Sequence, residues 1–270
     1  MLLQAQAPIG IFDSGTGGLT VAHAIQQILP RESFIYFGDT AHFPYGDKSE
    51  ATIQANSVKI ADVLLRKGCK VIVIACNSAS SAAYELLKEY VRQQAHVINV
   101  IDPMVQLIGQ QFKGKAVGLI GTKRTVQSDV YGRKIHQLNK DITLKSLATP
   151  LLAPMIEEGF FNNHISHEVI ARYLGDPVLQ SIEALILACT HYPLIKKEIE
   201  NYYNHAIPVL DSALVVAEAL KAHLQAAGLL NHEGKSEKRF FVSDYTEAFE
   251  ASTRIFFGEK IELERHTLWS

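Results

Sequence analysis

Residues 71–80 read VIVIACNSAS, and this decade decides the fold. Four β-branched residues in succession leave no polar face, so the strand they form is covered on both sides. The run ends in a thiol and passes straight into Asn77 and Ser78, side chains suited to start a helix. A fully buried strand that feeds a helix is the repeating unit of a parallel sheet, because parallel neighbours need a crossover between them.

The same alternation extends both ways. IGIF (9–12) leads through DSGTGG into LTVAHAIQQIL, and FIYFGD (34–39) leads into TAHFPYGDKS. SVKIADVLLRKG reads as a helix closed by Gly68, and after a helix near 78–93 comes VINVIDP. A second set begins at AVGLIGTKRT (116–125) and crosses a polar, helical middle region to ALILACTHYP (184–193) and AIPVLDS (206–212). RFFVSD (239–244) adds one more strand, and a last helix covers about 245–257.

The two sets share landmarks. Asp13 falls over Gly121 at an offset of 108 residues, Cys76 over Cys189 at 113, and Asp102 over Asp211 at 109. The expected architecture is therefore α/β, with two pseudo-symmetric lobes, each a mainly parallel sheet flanked by helices. With crossings at NVIDP and PVLDS, residues 1–98 plus 212–270 form one lobe and 99–211 the other. No Pro/Gly/Ser-rich linker separates them, which predicts a cleft between packed lobes.

Bulk properties exclude several classes. The 270 residues carry a formal net charge of −2, 47% hydrophobic and 20% charged residues, which predicts no nucleic-acid or anionic-membrane partner. The one dense basic stretch, GKSEKR (234–239), is interleaved with Glu237 and reads as a solvated loop. No apolar run approaches the ~18–20 residues of a spanning helix. MLLQAQAPIGIF lacks the basic segment and apolar core of a secretory signal. Three cysteines, an odd number, argue against a disulfide scaffold, so the expected location is cytoplasmic.

The base-rate reading of any lone cysteine is a small core residue. Cys69 fits it, and cannot bridge to Cys76, since seven residues of strand span ~23 Å whereas a disulfide needs ~4.4–6.8 Å between Cα atoms. Metal ligation is poorly supported, because no C-x-x-C is present. Cys76 and Cys189 each end an apolar strand and precede capping side chains, Asn77 and Ser78 in one set and Thr190 in the other. Ligands of open α/β sheets bind at the carboxyl ends of strands, beside free helix N–H groups that favour a thiolate or a carboxylate. Half-ionising a thiol of pKa ~8.5 at neutral pH takes ~2 kcal/mol. A helix N-terminus supplies up to about that much in partly buried geometry. Two thiols facing each other suit inversion of a stereocentre, one taking a proton from one face while the other delivers a proton to the opposite face.

IGIFDSGTGGLTV, YFGDTAHFPYG, VIACNSASS, LIGTKRT and LILACTHYP, in this order over nearly the whole chain, resemble the bacterial glutamate racemase group of the aspartate/glutamate racemases. The resemblance implies cofactor-independent conversion of L-glutamate to D-glutamate for peptidoglycan, with neither pyridoxal phosphate nor metal, at a site in the interlobe cleft. Cys76 and Cys189 would be the proton-transfer bases, assisted by Asp13 and His191. Asp13, Ser14, Tyr45, Gly46, Asn77, Ser78, Thr122, Thr190 and His191 would hold the substrate, with Glu157 near its ammonium. The family is often dimeric, so a homodimer is a further expectation. Ser78, Ala188 and Asp102 depart from residues frequent in the family, and none of these changes touches a thiol.

Each motif has a plainer reading. DSGTGG also serves as a tight turn exploiting glycine torsional freedom, though it is neither G-x-G-x-x-G nor a P-loop. Tyr45 reads alternatively as a turn aromatic, His191 as a cap and Glu157 as a solvated helix carboxylate. His23, His136 and His232 read as surface or packing residues. Rival functions are racemization of aspartate, amino-acid binding without catalysis, and thiol hydrolysis with His191 as base.

Overall fold

The structure is a computed structural model that describes residues 3–232 and 236–269. Positions 233–235, within or beside the basic loop read at 234–239, lie outside the described residues. Ten strands are described: β1 (Ile9–Asp13), β2 (Phe34–Gly38), β3 (Val71–Ile74), β4 (His96–Asn99), β5 (Ala116–Gly121), β6 (Thr143–Ala148), β7 (Ala184–Ala188), β8 (Val209–Asp211), β9 (Lys238–Val242) and β10 (Glu264–Arg265). Helices α1 (Leu19–Ile28), α2 (Glu50–Arg66), α3 (Asn77–Val91) and α4 (Ile101–Gln111) belong to the first half of the chain. They are followed by α5 (Lys123–Gln127), α6 (Val130–Gln137), α7 (Leu152–Glu157) and α8 (His164–Leu174). The chain then forms α9 (Lys196–Tyr202), α10 (Ser212–Ala226) and α11 (Glu247–Phe257).

All strand pairs are parallel. The larger sheet runs β10-β9-β2-β1-β3-β4 and the smaller β6-β5-β7-β8. Within each, four successive strands take the order second, first, third, fourth, so the repeat read from three landmarks is a repeat of topology. Cys76 and Cys189 follow the third strand of their respective sets, two residues beyond Ile74 and one beyond Ala188.

The opening decade is buried as its pattern requires. Val71 and Val73 face a core shared with α1, α4, α10 and the smaller sheet, while Ile72 and Ile74 face α2 and α3. All four are fully buried, each worth about 1.5–3 kcal/mol of transfer free energy. The two sheets are thus joined through one continuous core.

Two strands depart from expectation: β6, and the two-residue β10 that pairs with β9 beyond the last expected helix. The middle region expected to be helical contains β6, an edge strand of sequence TLKSLA. Its residues are half-buried or exposed, so it carries no continuous apolar run and lacks the signal that marked its neighbours.

Candidate active site

The turns following β1, β2 and β3 meet those following β5, β6 and β7. Between them lies a cavity of about 60 Å³ lined by Ser14, Phe43–Asp47, Cys76–Ser78, Thr122–Lys123, Thr149–Pro150, Ala153–Pro154 and Ala188–Tyr192. Each of these six strands contributes its carboxyl end, where helix amides and turn hydroxyls converge.

Both sulfurs reach this cavity, and neither is paired in a disulfide. Their surroundings differ. Cys76 is itself the N-cap of α3: its Sγ accepts from Ala79 N–H at 3.4 Å and lies 3.7 Å from Ser14 Oγ. Capping was expected of Asn77 and Ser78, which instead occupy the first helical turn. Burial, and then the charge of Asp13, push the Cys76 thiol up to about 12 despite the helix amide and Ser14. Desolvation opposes the helix terminus and is the larger effect here.

Cys189 opens onto a 3-10 turn, Tyr192–Ile195, rather than an α-helix, so Thr190 caps nothing. Thr190 Oγ1 points instead to Asp13 Oδ1 at 3.5 Å and His191 Nδ1 at 3.4 Å. The partner of Cys189 is His191, whose Nδ1 lies 3.6 Å from Sγ. On the other side of the ring, Nε2 lies 2.6 Å from Glu157 Oε1 on α7. Burial alone lowers the imidazole, but Cys189 and Glu157 outweigh it and raise His191 to about 10. Phe43 and Phe256 flank the ring.

Asp13 and Glu157 are not among the residues lining the cavity. Asp13 sits fully buried behind it, with Oδ2 accepting from Gly15 N–H at 3.0 Å, and burial raises its carboxyl above the ordinary value. Glu157, expected near a substrate ammonium, is turned to His191. Ser14, Tyr45, Gly46, Asn77, Ser78, Thr122, Thr190 and His191 all line the cavity. Tyr45 is held by its hydroxyl donating to Asp39 Oδ2 at 2.5 Å, a carboxylate that also accepts from Ser243 at 2.7 Å.

The glycines of DSGTGG are needed for space. Gly15, Gly17 and Gly18 are absent from the positive-φ residues. A Cβ on Gly17 would lie 2.4 Å from His191 Cε1 and 2.7 Å from Thr190 Oγ1, and one on Gly18 would lie 2.4 Å from Asp13 Cβ. Close approach of the other half, through Thr190 and His191, demands Gly17, whereas Gly18 makes room for Asp13 of its own half.

Several contacts join the halves. Ser78 Oγ and Thr122 Oγ1 are 2.9 Å apart, Thr20 Oγ1 donates to Thr190 O at 3.0 Å, and Tyr131 OH donates to Asn77 Oδ1 at 2.8 Å. At the rim Lys123 Nζ is 3.9 Å from Asp47 Oδ1. Sequence reading missed Thr149, whose Oγ1 is 2.7 Å from Tyr192 OH, because it follows the unrecognised β6. It missed Tyr131 because a lone aromatic in a helix carries no motif. Among the described residues no group of three or more His, Cys, Asp or Glu is arranged to hold a metal ion.

Such a site, with one sulfur from each repeat, agrees with similarity over the whole chain. The family model described as Asp/Glu/Hydantoin racemase matches residues 9–220. Glutamate racemase from Neisseria meningitidis serogroup C is 38% identical over 258 residues, 95% of each chain. That from Thermus thermophilus is 42% identical over 260 residues, 96% of each. The crystal structure of glutamate racemase from Francisella tularensis in complex with D-glutamate superposes with a TM-score of 0.92 at 38% identity, covering 98% of this chain and 99% of that one. The two-sheet architecture, the paired strand-end thiols and these likenesses agree: the chain belongs to the Asp/Glu/hydantoin racemase family.

Proposed function

We propose that the protein interconverts L- and D-glutamate by proton transfer at Cα between Cys76 and Cys189, without a cofactor. The observation that carries this reading is that two unpaired thiols from topologically equivalent strand ends line one small cavity. The D-glutamate bound to the Francisella tularensis relative supports the choice of substrate.

A turnover begins with Cys76 carrying its proton and Cys189 having passed its own to His191. The Cys189 sulfur takes the α-proton; the Cα–H bond breaks and its electron pair is left on Cα, delocalised into the adjoining carboxylate. Cys76 then delivers its proton to the opposite face, which leaves Cys76 as the thiolate and Cys189 as the thiol; exchange of the two sulfur protons with solvent after product leaves restores the starting state. Reversal of the roles inverts the other enantiomer. A carbanion is costly, so donors must be in place before it forms. Asn77, Ser14, Thr190 and the first-turn amides of α3 are suited to a carboxylate, with Ser78 and Thr122 beside them and Tyr45–Gly46 closing the wall. Asp13 lies close enough to Cys76 for its charge to raise that thiol, and burial raises the Asp13 carboxyl in turn, so the two are suited to share a proton when Cys76 acts as the base. The reaction requires that water, which would quench the anion, be displaced from the cavity by the bound substrate.

The lobes are read as 1–98 plus 212–270 and 99–211, which is supported by the strands each sheet draws from those ranges. The reading places the product in peptidoglycan synthesis and the enzyme in the cytoplasm, where free thiols persist. No helix among the described residues is long and apolar enough to cross a membrane.

The test is incubation of the purified protein with L-glutamate in deuterated water without added cofactor. Deuterium should enter Cα as optical rotation decays. Absence of exchange removes the proposal, and faster turnover of L-aspartate moves it to the shorter substrate, from which one methylene discriminates by only ~1–3 kcal/mol.

A further inference from the structure

Asn77 stands in the first turn of α3, is 2% exposed and lines the cavity. Its Oδ1 accepts from Tyr131 OH at 2.8 Å. Its Nδ2 is fully buried and has no hydrogen-bond partner among the described residues. Tyr131 approaches from α6, in the other half of the molecule, and is itself buried and outside the cavity. Burial, then the nearby charge of Asp102, hold its hydroxyl firmly protonated, so it has a proton to donate.

A carboxamide has one accepting end and one donating end. With the tyrosine engaging the acceptor, the donor end is left for the cavity. A buried amide NH₂ without an acceptor is an unfavourable state that a ligand oxygen relieves. The geometry therefore calls for an anionic or carbonyl acceptor at that spot.

We propose that Tyr131 is a positioning residue: it pins Asn77 Oδ1 so that Nδ2 faces the cavity and donates to a carboxylate oxygen of the bound amino acid. The contact spans both halves of the molecule, so the donor is aligned only while they are packed together. This rests on the reaction proposed above for the identity of the ligand.

The test is a double-mutant cycle with Tyr131→Phe and Asn77→Ala, following racemization of glutamate in both directions. Tyr131→Phe should raise KM about fivefold to tenfold, the worth of one buried hydrogen bond, while kcat changes by less than about twofold. In the Asn77→Ala background the same substitution should add nothing. An unchanged KM, or an effect that persists in full without Asn77, overturns the inference. Should Tyr131→Phe fail to fold by circular dichroism, the unmodified protein decides: the Asn77 side-chain ¹⁵N amide resonance must move on saturation with D-glutamate, and a stationary signal overturns it. Failure of the unmodified protein to exchange the α-hydrogen strikes the reaction, whereas an active protein indifferent to Tyr131→Phe strikes the positioning role alone.

Discussion

His191 Nε2 and Glu157 Oε1 are 2.6 Å apart, and through that bond a carboxylate outside the cavity governs a proton inside it. Glu157 acts at one remove, since the opposite ring nitrogen is the one that faces Cys189.

Glu157→Gln should lower the alkaline limit of activity. His191 is raised from 6.5 to about 10 against the effect of burial, with Cys189 and Glu157 as the raising groups. Losing one of them makes the imidazolium release its proton at lower pH. The alkaline limb of kcat/KM should move down by about one unit, with about tenfold lower kcat/KM in the affected range. Stability follows the same sign. A raised folded-state value stabilises fully below about 6.5 and is lost as pH rises through about 10, so the variant's deficit in Tm should be largest below that window and vanish above it. A pH profile unchanged from the parent would refute the coupling.

Replacing either Cys76 or Cys189 with Ser should reduce racemization by about 10²–10⁴-fold, the usual worth of a positioned acid or base. Circular dichroism at fixed enzyme concentration measures it. Cys69→Ala is the control: that thiol is buried against Gly10 and Leu64, away from the cavity, and its loss should cost packing with turnover retained. A Cys69 variant as impaired as the other two would remove the distinction drawn between the sulfurs.

Gly17→Ala should damage activity more than folding. The added methyl occupies space within 2.6 Å of His191 Nδ1, so the ring must move off Cys189. We expect kcat to fall at least about tenfold, as small displacements of a catalytic group commonly do. Steady-state kinetics beside a thermal melt separates the two effects, and an undiminished kcat would show the ring free to shift.

Lys70→Met should destabilise without altering chemistry. Lys70 Nζ is wholly buried, donates to Glu32 Oε2 at 2.6 Å and Leu229 O at 2.9 Å, and also bonds Ala5 O. Removing the cation strands a buried carboxylate, a loss of about 3–5 kcal/mol in chemical denaturation. The pair sits at the amino-terminal end of β3, opposite the cavity, so kcat per folded molecule should hold. A loss below about 1 kcal/mol would mean that Glu32 finds other partners or takes up a proton.

What could be read from the chain was periodicity and local chemistry. Unbroken β-branched runs such as VIVI have no exposed face, so they announce buried parallel strands, and their repetition announced two copies of one plan. A thiol at the end of such a run, followed by residues that begin a helix, could be placed at a ligand-binding edge because the carboxyl ends of parallel strands all point one way. The edge strand TLKSLA escaped because an edge needs no apolar continuity, and with it went Thr149. Only the tertiary structure decided which groups share the cavity and which stand behind it: that Asp13 and Glu157 are set back, that His191 answers to Glu157, and that Tyr131 reaches Asn77 from the opposite half. These are contacts between residues tens to more than a hundred positions apart, set by how two sheets close on each other, and no local pattern encodes such a distance.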